Sequence, residues 1–200
     1  MFDRALRAAA GLGPAATRAD PATDVPEQPL SDRERRLSIE LLRVDHAGEV
    51  AAQALYEGQA MTAQSTELKQ HLHTAAAEEA DHLKWCADRL TELGGRPSYL
   101  GPFWYAGSFA LGALAGRAGD RWSLGFVAET EQQVSRHLDA HLEELPAADT
   151  RSRAILQQMR ADEAGHADAA IERGGAPLPL PVRHLMTGVS KVMTIGARWV

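Results

Sequence analysis

Twice, in EEADHLKW at 78–85 and in DEAGHADA at 162–169, the chain sets a glutamate three residues before a histidine inside a helical pattern. On an α-helix, residues three apart lie roughly 60° from one another and so share a face. Glu79 therefore points with His82, and Glu163 with His166. The first pair falls within the apolar stripe of Leu68, Leu72, Ala75, Leu83, Cys86, Leu90 and Leu93, with Glu78 and Asp81 outside it or at its edge. The second sits in the middle of the stripe marked by Leu156, Met159 and Ala170. Each pair follows another helix that carries one in-register glutamate. Glu49 lies one heptad from both Leu42 and Tyr56, and Glu131 keeps the register of Val127, Val134, Leu138 and Leu145, whereas Glu129 does not. Periodicity thus turns one glutamate inward on each of four helices and adds two inward histidines.

Four ionised carboxylates cannot share a core unaided. Each faces a desolvation cost of several kcal/mol, and together they repel. Two divalent cations balance four carboxylates, and two neutral imidazoles complete the coordination. Such a donor set suits iron or manganese better than a thiolate-preferring metal. The spacing also fixes an architecture. Glu49 precedes Glu79 by 30 residues and Glu131 precedes Glu163 by 32, so the chain reads as two similar hairpins. Two such hairpins joined by a long crossover make a ferritin-like four-helix bundle, whose known ligand set is the one found here.

The punctuation agrees. Ser31 with Glu34 is a capping box opening a helix over about 32–62. Ser65 or Thr66 opens the next, which stops at Gly94 and Gly95. Helices over about 120–145 and 149–172 stop at Pro146 and at Gly174 with Gly175, and an amphipathic helix covers about 183–199. No segment alternates with period two between turn signals, so the fold class is all-α. Residues 1–30, rich in Ala, Gly, Pro and Asp without a continuous apolar run, read as a flexible arm rather than a secretory signal, and 31–200 as the domain. The net charge of −6 excludes a general nucleic-acid binder. The lone Cys86 allows no internal disulfide, and its apolar surroundings make it a core residue.

At LLRVDHAGEV (41–50), EEADHLKW, VAETEQQVSRHL (127–138) and DEAGHADAA (162–170), in this order, the sequence resembles the demethoxyubiquinone hydroxylase family of ubiquinone biosynthesis, over about 40–200. The resemblance implies metal ligands at Glu49, Glu79, His82, Glu131, Glu163 and His166, the set that periodicity selects. It implies two iron ions and an O₂-dependent monooxygenase acting on a polyprenylated benzoquinone or its quinol. An external reductant is needed, with NADH a candidate, and no glycine-rich dinucleotide fold is present to bind it. His137 falls where members carry a histidine linked to reductant use, an electron or proton relay; some have a tyrosine next, where Leu138 stands here. Asp162 and Glu78, each just before a ligand glutamate, are candidate acceptors for a ligand imidazole proton. Asp45 and His46 lie one turn before Glu49; His71, His73, His141 and His184 show no partner pattern and read as surface.

Pro97 to Gly116 carries no charge, long enough on its own for a membrane span. A crossing would put Glu49, Glu79 and His82 on one side and Glu131, Glu163 and His166 on the other, so the segment must dip, lie at an interface or stay within the protein. Pro102 and the glycines point to a bent element. Leu185, Val189, Val192, Met193, Gly196 and Trp199 share one face of the last helix, a pattern that suits a helix lying on a membrane. The expectation is a peripheral protein at the cytoplasmic face of a bacterial inner membrane, with other ubiquinone-biosynthesis proteins as candidate partners and a homo-oligomer left open. The rivals are a ferritin-like iron oxidase or peroxidase and a non-catalytic quinone- or lipid-binding bundle.

Overall fold

The computed structural model describes residues 17–199, and among the described residues it contains six helices and no strand. The first, α1 (Asp32–Thr62), opens on the expected capping box: Ser31 Oγ accepts from the Glu34 amide while the Ser31 amide donates to Glu34 Oε2. Ser65 caps α2 (Thr66–Glu92), which ends at Leu93 before Gly94, whose φ of +75° lies where a side chain is disfavoured. After α3 (Gly101–Arg117) come α4 (Asp120–Glu144), α5 (Thr150–Glu172) and α6 (Leu180–Trp199). Asp149 caps α5 by accepting from the Ser152 amide.

Two apolar clusters fill the bundle, one toward each end. One joins Leu41, Leu42, Trp85, Cys86, Leu138, Leu156 and Met159; the other joins Tyr56, Leu68, Leu72, Leu124, Val127 and Ala170. Helices α1 and α5 run from the first cluster to the second, and α2 and α4 run back. Glu49, Glu79, Glu131 and Glu163 each fall between the two clusters on their own helix. The polar centre therefore occupies the middle of the bundle with a dry plug at either end. Cys86 is fully buried beside Met159, a core residue as expected.

The crossover is straighter than expected. α3 is one unbroken helix with Pro102 in its first turn, where proline's missing N–H costs nothing. It lies along α1 in the same direction, with Gly112 against Leu55 and Gly58 against Phe109. A Cβ at Gly112 would sit 2.2 Å from the Leu55 carbonyl oxygen, and one at Gly58 would sit 2.2 Å from that of Phe109. These glycines permit close backbone approach; they do not bend the segment. Helix α6 packs beside α3 through Trp104 against Gly196, and its Ala197 is buried against Val44 and Ala47 of α1.

Residues 17–30 differ from the loose arm expected of 1–30, whose first sixteen residues lie outside the described residues. Ala22 is fully buried, and Glu27 pairs with Arg89 at 2.9 Å. Arg89 is itself buried and also bound to Asp149 (2.8 Å) and Ser152 (3.0 Å). A buried guanidinium needs acceptors on all sides, and Glu27 supplies one that composition alone does not foretell.

Candidate metal centre

All six predicted ligands are buried at mid-bundle, with His166 the most exposed at 8%. One donor atom from each of Glu49, Glu79, His82 and Glu163 lies within 4.8 Å of every other. His82 turns Nδ1 inward, 3.1 Å from both Glu79 Oε2 and Glu163 Oε1 and 3.5 Å from Glu49 Oε2. His166 does the same from the facing helix, its Nδ1 3.2 Å from Glu79 Oε1 and 3.4 Å from Glu163 Oε2. Glu131 enters from α4, held by Tyr56, whose hydroxyl donates to its Oε1 at 2.5 Å.

The outward nitrogens are paired crosswise. Nε2 of His82, on α2, lies 2.9 Å from Asp162 of α5, and Nε2 of His166, on α5, lies 2.5 Å from Glu78 of α2. Each hairpin thus carries the acceptor for the other's imidazole, and each acceptor directly precedes a ligand glutamate. An acceptor at Nε2 fixes the tautomer that leaves Nδ1 with a lone pair toward the centre.

The electrostatics are those of a cage built for cations. Burial, reinforced by Glu79 and Glu163, raises Glu49 well above the ordinary carboxylate range, and burial with Glu163 and Glu79 does the same to Glu131. Burial alone would also raise Glu79, but the His166 and His82 imidazoles outweigh it and hold Glu79 low. Burial alone would lower His82 and His166. Asp162, Glu163, Glu49 and Glu79 overcome it and raise His82, and Glu163 with Glu79 push His166 up to about 12. Without cations, the charge is balanced by protons. Glu49 Oε2, Glu79 Oε1, Glu131 Oε2, both oxygens of Glu163 and Nδ1 of His166 are shut from solvent without a hydrogen-bond partner. Buried polar atoms are rarely left so, and here they converge. The donor set therefore fits two divalent ions with positions to spare.

The profile of the family described as "Ubiquinone biosynthesis protein COQ7" matches residues 36–197. The chain belongs to the COQ7 family. It is 57% identical to a 3-demethoxyubiquinol 3-hydroxylase of Nitrosococcus oceani, covering 100% of this chain and 93% of that one. It is 59% identical to a protein of the same name from Cupriavidus pinatubonensis, over 98% of this chain and 95% of the relative. In fold it is similar to a dodecameric thioferritin, the bacterioferritin-related protein of Bacteroides fragilis. That likeness has a TM-score of 0.57 at 18% identity, over 68% of this chain and 82% of the other. The ferritin-like bundle read from the sequence is thus the observed fold.

Several functional neighbours escaped the sequence reading. Arg18 reaches over Trp85 to bond Asp162 at 2.5 Å and approaches Asp81 at 3.3 Å, and Asp81, read as outside the stripe or at its edge, is buried. Glu129, read as out of register, is buried because Arg183 of α6 covers it at 2.6 Å. His141, read as surface, is buried with its Nδ1 2.7 Å from Asp45 of α1. Burial lowers it, but Asp45 raises it further. His137 stands apart from the six-residue centre; it stacks on His141 and approaches Asp45 at 3.7 Å. His46 is buried, His184 is exposed, and His71 and His73 are half-buried. The only signal for His141 was its spacing of four from His137.

Proposed function

We propose that this chain hydroxylates the ring of a demethoxylated ubiquinol with O₂, using two iron ions held by Glu49, Glu79, His82, Glu131, Glu163 and His166. The observation that carries the reading is the mid-bundle convergence of these six side chains, five of which hold a buried oxygen or nitrogen without a hydrogen-bond partner, in a COQ7-family chain. When bound, the iron pair supplies O₂ activation and the redox capacity that side chains lack. The chain's own residues do the rest. Asp162 and Glu78 hold the imidazole protons at Nε2 and so aim Nδ1. Tyr56 pins one oxygen of Glu131 and leaves the other to the centre. The apolar plugs exclude bulk water from the carboxylates. One oxygen atom enters the ring as a hydroxyl and the other leaves as water, so two electrons must come from an external reductant, with NADH a candidate. A relay through His137 would run by way of Asp45, one turn from Glu49.

The substrate's isoprenoid tail asks for an apolar surface, and α3 with α6 offers one. Phe103, Leu114, Leu185, Val192, Ile195 and Trp199 are between 64% and 73% exposed. Burying a large apolar side chain fully contributes about 1.5–3 kcal/mol, so so many exposed together favour a second apolar phase. Among the described residues no helix is long and apolar enough to cross a membrane. The two helices would instead lie on a bilayer, at the cytoplasmic face of the inner membrane in a bacterium. Flotation with phospholipid vesicles checks this: the protein should rise with them, and a Leu185→Asn/Val192→Asn variant should stay behind. The reaction is tested by giving iron-loaded protein a short-chain demethoxylated quinol and following the ring hydroxyl by mass spectrometry. Oxidation of ferrous iron without ring hydroxylation would favour the iron-oxidase reading instead. Tight quinol binding with neither reaction would favour a carrier.

A further inference from the structure

Beside the six-residue centre lies a second convergence of metal-binding side chains that the proposed reaction does not use as ligands. His137 and His141 stand one turn apart on α4, their ring centroids 3.9 Å from each other. Asp45 faces them from α1, Oδ1 lying 2.7 Å from His141 Nδ1 and 3.7 Å from His137 Nε2. One donor atom from each of the three lies within 4.8 Å of the other two. A plain Asp45–His141 hydrogen bond accounts for one carboxylate oxygen and one ring nitrogen. It leaves Asp45 Oδ2 and His137 Nε2, both shut from solvent, without a hydrogen-bond partner. Asp45 is 3% exposed, so its idle oxygen is an unpaid desolvation inside the fold. Two of the three, His137 and His141, line a cleft of about 400 Å³ together with Glu40, Val44 and Trp199.

We propose that Asp45, His137 and His141 bind a single first-row divalent metal ion at a site separate from the six-residue centre. Two imidazoles and one carboxylate are a sufficient protein donor set for zinc or ferrous iron, with the remaining positions open to water. Imidazole donors select zinc, iron, cobalt or nickel over magnesium and calcium, which prefer oxygen throughout. An ion about 2.0–2.2 Å from each donor holds adjacent donors about 3.0–3.4 Å apart, so the Asp45–His141 spacing opens by roughly 0.3–0.7 Å. Both idle atoms gain a partner when the Asp45 carboxylate holds the ion through both of its oxygens. His137 and His141 line the cleft, so the ion reaches them from that side, whereas the six-residue centre is enclosed by the apolar plugs. Asp45 lies about one helical turn from Glu49, so the two sites are neighbours without sharing a ligand.

The test uses the full chain, metal-free, titrated with Co²⁺ under argon. Bound cobalt is counted per chain, and the visible band of low-coordinate Co²⁺ is recorded. His137→Ala, at a half-exposed position, should bind one cobalt ion fewer than the unaltered chain and lose part of that band. His141→Gln should do the same. Glu163→Gln should lose cobalt from the other centre and keep the His137-dependent ion. The same cobalt count and spectrum in His137→Ala as in the unaltered chain would overturn the proposal, whatever Glu163→Gln does. Cobalt lost in His137→Ala and unchanged in Glu163→Gln would uphold this site and refute the six-residue centre instead. Circular dichroism identifies misfolding in His141→Gln, in which case His137→Ala decides.

Discussion

Asp162→Asn is the sharpest probe of how the imidazoles are held. Asp162, its side chain only 16% exposed, accepts through Oδ2 from the fully buried His82 Nε2 at 2.9 Å, so water cannot readily replace it. Asparagine keeps the shape and removes the charge. A hydrogen bond to a charged group contributes about 1.5–3 kcal/mol and a neutral one about 0.5–1.5. The difference, about 1–1.5 kcal/mol, is roughly tenfold in binding. The amide can also present its NH₂ to His82, which forfeits the bond altogether, so the expected loss in affinity for Mn²⁺ or Fe²⁺ is about 10–100-fold. Glu78→Gln at His166 should cost less, because Glu78 is 41% exposed and solvent can step in. Arg18 also binds Asp162, so Arg18→Ala is the control: it leaves the Asp162–His82 bond and should weaken metal binding less than Asp162→Asn. The measurement is competition against a chelator of known affinity, with circular dichroism to verify the fold. An Asp162→Asn protein whose affinity stays within about twofold of the original would refute the view that this carboxylate orients a ligand.

Gly112→Ala should destabilise by about 1–3 kcal/mol, because the new methyl group meets the backbone of Leu55. Gly107→Ala on the same helix meets nothing within 4 Å and should stabilise by roughly 0.5–1 kcal/mol; thermal melts of the two should move in opposite directions. In metal-free protein, His141 is raised by Asp45, so its contribution is full below its unfolded value near 6.5 and fades as pH climbs through its folded value. Urea titrations should therefore show His141→Gln losing more stability at about pH 5.5 than at about pH 9. Loading the six-residue centre with Mn²⁺ near pH 7 should release at least two protons, one from each imidazole, since His82 and His166 are both raised without metal. Calorimetry in buffers of different ionisation enthalpy counts them, and no release would refute the protonated resting cage.

The candidate centre was legible because its side chains obey one helix period. Glu49, Glu79, Glu131 and Glu163 each interrupt an apolar stripe where an apolar residue was due, and nothing beyond the four helices is needed to see that. What stayed hidden depends on other elements. Glu129 is buried by α6, Asp81 by the 17–30 stretch, and His141 by Asp45 of α1. α1 takes neighbours from several sides, α2, α3 and α6 among them, so nearly every residue from 41 to 54 is buried and no single stripe describes it. The glycines of α3 misled for a related reason. Read along the chain they suggest a bend, but their purpose lies across the interface, where Leu55 and Gln59 of α1 offer backbone to Gly112 and Gly116.

The crosswise pairing of Asp162 with His82 and Glu78 with His166 makes the two hairpins reciprocal. Neither half can align its own histidine; each borrows an acceptor from its counterpart. A hairpin made alone would hold half the donors with the outer nitrogen of its imidazole lacking that carboxylate, and could regain one by meeting a second copy of itself across a twofold axis. The chain behaves, in this respect, as a dimer whose halves were joined end to end by α3.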